Sequence, residues 1–381
     1  MGEGLFGKIF GKGKKTESPS VGGAVVESVG TLAVGELGKA MTLKFKNAES
    51  LSENENKICI EDNMIYNLIN QCTDGELDKR LKDTKNALGV TSSLTISKDT
   101  LLKFREVLKN EDLAKALQMS GSVAQVASLG VLVVAVGMLK KANDKLDDIN
   151  QSVSRISDFQ EAEYESKVST LISFIQTTTQ FQSETLKDKD LRNRKLSSIE
   201  NQQITCVQLL KQANSSIKRE MAKEQKSFKN YVENTTHIQK WCDYQQILAR
   251  LLRQISELTF MLNLGVISRQ FSYSEYNKIL SEIGDERKEL RDWHLKNMGY
   301  FSVDLKEKKY QRAGSVFDAA KRIPIGALAR KISENTISDK MIGYIEDQMK
   351  ENNNNQEAGS GNQFEEDVKM VVEDGKLYYV Q

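Results

Sequence analysis

Proline is nearly missing from this chain. Pro19 and Pro324 are the only two, so the 304 residues between them carry none, where average usage of about 5% would place roughly 15. Proline removes a backbone donor and clashes with the preceding helical turn. Its absence over that length, in an interval rich in Lys, Glu, Gln, Leu, Ser and Ile, implies long uninterrupted helices. An excess of one charge is missing too. With 54 basic and 53 acidic residues the net charge is +1, which gives no chain-wide basic field for phosphate backbones and argues against a nucleic-acid partner.

The residues that usually carry chemistry are equally sparse. Cys59, Cys72, Cys206 and Cys242 are too scattered for a metal motif and too few for a disulfide framework. They read as reduced thiols of a cytoplasmic protein. His237 and His294 stand on separate helices without clustered Cys or carboxylates, so packing or surface roles fit them better than acid–base work. Gly4, Gly7, Gly11 and Gly13 do not follow a strand, and no Gly-x-Ser-x-Gly, Walker or kinase pattern occurs. Asp147-Asp148 and Glu161 with Glu163 are no more than any charged helix offers. The expectation is a non-enzymatic protein with no catalytic residue, no metal and no cofactor.

Against this background one feature stands out. The 24 residues from Ala116 to Leu139 contain no charged side chain although 28% of the chain is charged. As a helix they reach about 36 Å at roughly 1.5 Å per residue, enough to cross a hydrocarbon core of about 30 Å. The first half holds Gln118, Ser120, Ser122, Gln125 and Ser128, whereas the second is strongly apolar. Leu129, Val131, Leu132, Val133, Val134, Val136, Met138 and Leu139 are therefore the candidate lipid contacts. Four basic residues on each side leave orientation unspecified.

Beyond this run, Leu139, Ala142, Leu146, Ile149, Val153 and Ile156 recur at spacings of three and four, a heptad seam that calls for a partner helix. Other helices are expected at 61–72, at 76–88 with Thr73 and Glu76 as a capping box, and from Ser97 without a break into the uncharged run. A long helix then runs to about Gln182, a second spans roughly 196–228 with a bend at 234–236, and a core-like helix covers Trp241 to Leu264. Ser272 with Glu275 opens another to about Asn297, and shorter ones follow at 304–322 and 326–350.

The ends are different in kind. Residues 1–15 are basic and amphipathic, with Leu5, Phe6, Ile9 and Phe10 on one helical face among lysines, suited to an anionic lipid interface. They resemble the Gly-Leu-Phe-Lys-rich openings of many bacterial cytoplasmic proteins, and they do not form a secretory signal. Residues 16–60 read as linker plus a short strand at 41–47, residues 61–350 as the long-helix bundle, and 351–363 as an Asn-rich flexible linker. At 364–381, Asp374-Gly375 between runs of strand formers marks a β-hairpin. Apolar on both faces, it needs a dock: the strand at 41–47, its own copy, or a protein partner that pairs with its edge.

The expected fold is mainly α: an elongated bundle of long amphipathic helices with one apolar segment, a small mixed N-terminal region and a C-terminal hairpin. This organisation resembles that of α-helical pore-forming toxins over roughly residues 60–350, with no motif-level match. The resemblance implies an apolar segment hidden at first, then inserted into a bilayer by a homo-oligomer. The functional expectation is a conditionally membrane-associated protein that permeabilises a bilayer through 116–139. The alternative is a coiled-coil scaffold or adaptor, soluble or held by a single span.

Overall fold

The computed structural model describes residues 39–48, 56–86, 91–108, 113–119, 121–154, 162–301, 340–350 and 362–380. The amphipathic block with Leu5, Phe6, Ile9 and Phe10, most of both linkers, seam residue Ile156 and the helix expected at 304–322 lie outside these residues.

The described chain is mainly helical with one small sheet. Strands β1 (Lys46–Ala48) and β2 (Lys57–Ile60) precede helices α1 (Asn63–Cys72) and α2 (Glu76–Asn86), then β3 (Thr91–Ile96). Short helices α3 (Lys98–Leu108) and α4 (Leu113–Gln118) lead to α5 (Val123–Ser154), which contains most of the uncharged run. The bundle continues through α6 (Ala162–Gln180), α7 (Gln182–Lys187), α8 (Lys189–Met221), α9 (Phe228–Leu262), α10 (Arg269–Ser272), α11 (Ser274–Tyr300) and α12 (340–350). A 3-10 turn at Gln363–Glu365 introduces β4 (Val368–Glu373) and β5 (Lys376–Val380). The 33 residues of α8 and 35 of α9 each extend about 50 Å, as the proline-free interval requires.

Local boundaries depart from the sequence reading for identifiable reasons. The helix expected to run unbroken from Ser97 is three helices, and Gly121 with φ +68° makes the break before α5, a conformation glycine adopts without a Cβ penalty. Thr73 does not open a capping box. It ends α1, its hydroxyl donating to Ile69 O at 2.7 Å, and the chain turns through Asp74 and Gly75 at positive φ. The bend expected at 234–236 is absent because Thr235 and Thr236 donate back to Val232 O; the interruption falls at 222–227, where Ser227 caps α9 through Asn230 N. Ser272 belongs to α10, which Ser268 caps, and α11 reaches Tyr300 rather than Asn297.

The hairpin is part of the fold rather than a tail. Five antiparallel strands run in the order β1-β3-β4-β5-β2, so β4 and β5 are central to the order. Asp374 and Gly375, both at positive φ, form the tight turn that their sequence signals. Leu94 faces Met370, and Cys59 faces Tyr378 across the β2–β5 ladder. Both hairpin edges are paired inside the chain, leaving β1 and β2 as the sheet's outer strands. The expected strand at 41–47 shrinks to 46–48, and it pairs with β3, not with the hairpin.

Candidate functional site

The feature that sets this protein apart is the seat of α5. One continuous core runs from the sheet through α5 to α9. The sheet strands β2 to β5 cover one side of α5, α9 lies on another, and α1, α3, α4 and α6 complete the enclosure. All 16 residues from 124 to 139 are buried.

At its N-terminal end the half-polar start is satisfied by protein. Ser122 Oγ accepts from Gln125 N at 3.2 Å and donates to Met119 O at 2.6 Å. The Gln125 amide accepts from Gly121 N at 2.7 Å and donates to Gln71 Oε1 at 3.0 Å, while Ser128 donates to Ala124 O. An extended segment crosses this end, with Met41 N on Gly121 O and Val123 N on Lys39 O at 2.9 and 3.0 Å. Buried polar atoms that find such partners avoid a penalty of about 1–3 kcal/mol each.

In the middle, two glycines let neighbours approach closely. A Cβ at Gly130 would lie 2.5 Å from Leu101 Cδ2, and one at Gly137 would lie 2.5 Å from Tyr379 Cδ1. The second contact brings the hairpin onto the backbone of α5. A further anchor lies just upstream, where Phe364 packs against Gly265 and meets the Phe260 ring at 5.3 Å between centroids.

The candidate lipid contacts Leu129, Val131, Leu132, Val133, Val134, Val136, Met138 and Leu139 are all interior residues here. So are seam residues Leu139, Ala142, Leu146 and Ile149, with Val153 half-buried; their helical partners belong to the same chain. At the polar end Lys140 donates to Cys59 O at 3.0 Å and lies 3.6 Å from Glu61.

Sequence reading missed a polar cluster inside the bundle. Arg287, fully buried, donates through Nε to Gln348 Oε1 on α12 and through Nη2 to Gln245 Oε1, while Gln245 donates to Glu286 at 2.7 Å. Tyr344 of α12 donates to Asp243 at 2.6 Å. Burial pushes the carboxyls of Asp243 and Glu286 up. The pattern docks α12 by polar contacts, and no local motif announces it because its members come from three helices.

Burial disfavours the thiolate form at all four cysteines. Burial lifts Cys72 and Cys242 to about 11 and raises Cys206 further, while burial and then Glu61 raise Cys59; the thiolate is the reactive form. All four are free. Comparison of the chain with protein families, curated proteins and solved structures finds no match.

Proposed function

We propose that this protein is a membrane-active helical protein in its hidden form, in which the C-terminal hairpin keeps a bilayer-length apolar helix away from lipid. The observation that carries the reading is the construction of the cover. The 32-residue α5 has an uncharged first half long enough to matter to a bilayer, and part of its lid is a hairpin contributed from the far end of the chain. Removing β4 and β5 would separate β3 from β2 and uncover Gly137. Composition of residues 351–361, rich in Asn and Gly, suits a tether that lets the hairpin leave while staying attached. Once uncovered, the small residues Ala124, Ser128, Gly130 and Gly137 would permit close helix–helix approach in a bilayer, consistent with a homo-oligomer that permeabilises it.

A second reading is favoured by the fit of the seat itself. The hydrogen-bonded Gln125 and Ser128 and the close glycine contacts suit a permanent core helix of a soluble scaffold. Dye release from anionic liposomes, scanned over pH and lipid composition, separates the two. Leakage with concomitant membrane binding supports release of α5; neither under any condition supports the scaffold.

A further inference from the structure

We propose that the C-terminal hairpin is exchangeable between copies of this chain: the slot between β3 and β2 of one copy takes β4 and β5 of another. The partner is a second copy, and the interface is the pair of ladders that the sheet already contains. Five opposed residue pairs, from Ser92 with Val372 to Ile96 with Val368, join β4 to β3, and four, from Lys57 with Val380 to Ile60 with Leu377, join β5 to β2. Both strands that flank the slot lie before residue 97, whereas the hairpin begins at Val368. The inference rests on the reading above for the hairpin's departure from its own sheet, and not for any contact with lipid.

A hairpin that leaves its sheet is a poor solute. Val368, Met370, Val371, Val372, Leu377 and Tyr379 are all buried; outside the sheet both edges lose their ladders, and a two-stranded ribbon alone is marginal in water. Unpaired edges are templates for another strand. The vacated slot has the complementary needs: β3 and β2 each lose a partner, and Gly137 loses the Tyr379 ring that covers its backbone. The fit between the two is polar as well as apolar. Lys57 Nζ donates to Glu373 at 2.8 Å, with the two side chains only 26% and 18% exposed. Asp367 Oδ1 accepts from Lys98 N at 2.8 Å at the start of α3, and Gly375 N donates to Thr84 Oγ1 at 3.1 Å. A hairpin from another copy makes every one of these contacts equally well, because the copies carry the same surfaces. Exchange of an identical element is a low-cost route to a dimer.

The connection to the hairpin sets when exchange wins. Residues 351–361 hold no proline and one apolar side chain, Ala358. A flexible chain of that length has a root-mean-square reach of roughly 17–20 Å, and a short flexible tether gives what it carries an effective concentration in the millimolar range. The chain's own hairpin therefore has the advantage in dilute solution. Exchange gains as copies crowd, during folding at high concentration or on a bilayer surface. Its mark is a population with the hairpin in the neighbour's slot that rises with protein concentration.

Disulfide capture in solution tests this with the full chain. Cys59 faces Tyr378, and Thr95 faces Lys369; residues so opposed lie within disulfide range. Thr95 is exposed and Lys369 half-buried, so the second pair leaves the core untouched. Two differently tagged chains, the wild type with its Cys59 and Cys59→Ser/Tyr378→Cys, are co-expressed, concentrated and oxidised. A second experiment divides Cys59→Ser/Thr95→Cys and Cys59→Ser/Lys369→Cys between the two chains. Neither member of a pair can close its ladder disulfide on itself, so a disulfide between different tags reports a hairpin in the neighbour's slot. Cys59→Ser/Lys211→Cys, exposed on α8, replaces the hairpin cysteine to measure random collision. Tyr378→Cys and Cys59→Ser/Thr95→Cys/Lys369→Cys carry both halves on one chain and check fold and register. At each ladder whose single-chain control closes, exchange predicts a two-tag disulfide at least tenfold above collision that grows with protein concentration. A two-tag yield no higher than collision overturns the exchange, and failure of both single-chain controls to close overturns the slot itself. Dye release plays no part in the readout, so exchange and membrane release fail separately.

Discussion

The ring of Tyr379 rests on the backbone of Gly137: a Cβ at Gly137 would sit 2.5 Å from Cδ1 and 3.1 Å from Cε1 of that ring. Alanine in a helix interior ordinarily gains about 1 kcal/mol over glycine, but here the ring must move, and overpacking a core costs about 1–3 kcal/mol. Gly137→Val is expected to lower the unfolding free energy by about 2 kcal/mol in urea titrations. Tyr379→Leu in the same chain should recover part of that loss. Gly284→Ala, where nothing lies within 4 Å, should be neutral or stabilising by about 0.5–1 kcal/mol.

Val133 has no exposure and lies midway along the buried stretch. Val133→Asp would place a carboxylate there without a partner, a penalty of several kcal/mol against a typical total stability of about 5–15 kcal/mol. Loss of the cooperative thermal transition and of soluble expression is expected. A variant that unfolds like the wild type would mean that α5 is not seated as described.

Arg287→Met removes the donor that joins Gln245 to Gln348. Breaking one side of a buried ionic cluster costs about 3–5 kcal/mol, and the loss should be felt first at α12. Hydrogen exchange over residues 340–350 is expected to accelerate more than exchange over α9. Uniform acceleration would contradict a tethering role.

Burial raises Asp243 and Glu286 from ordinary values of 3.8 and 4.5. A carboxyl raised in the folded state gives stability that is fully present below its unfolded value and is lost as pH rises through the folded one. These two groups thus make the fold less stable as pH climbs from about 4. Asp243→Asn with Glu286→Gln should flatten that part of the curve, seen as a variant-minus-wild-type difference that grows with pH in urea titrations. A difference independent of pH would contradict the buried placement.

What the sequence shows plainly is local. The proline-free interval announces α8 and α9, the uncharged run announces the heart of α5, and Asp374-Gly375 announces the hairpin. What it conceals depends on distant pairing. Strand β2 is the four residues Lys-Ile-Cys-Ile, and β3 is Thr-Ser-Ser-Leu-Thr-Ile; neither is long or apolar enough to stand out before β4 and β5 lie beside it. The heptad seam predicts a partner for Leu146 and Ile149 but not that the partner is in the same chain. Lys145 and Arg253 meet only because α5 and α9 pack together.

The central claim is that the hairpin holds α5 away from lipid, and Cys59 provides a direct way to test it. It faces Tyr378 across the β2–β5 ladder, and residues so opposed have Cα atoms about 4.5–5.5 Å apart, within disulfide range. Tyr378→Cys, oxidised with copper-phenanthroline, would bolt the hairpin in place; reduction would free it. The measurement is dye release from phosphatidylglycerol liposomes by the same sample in both states. Release by the reduced protein that stops on oxidation is the expected result. Equal release in both states, or none in either, would contradict the claim.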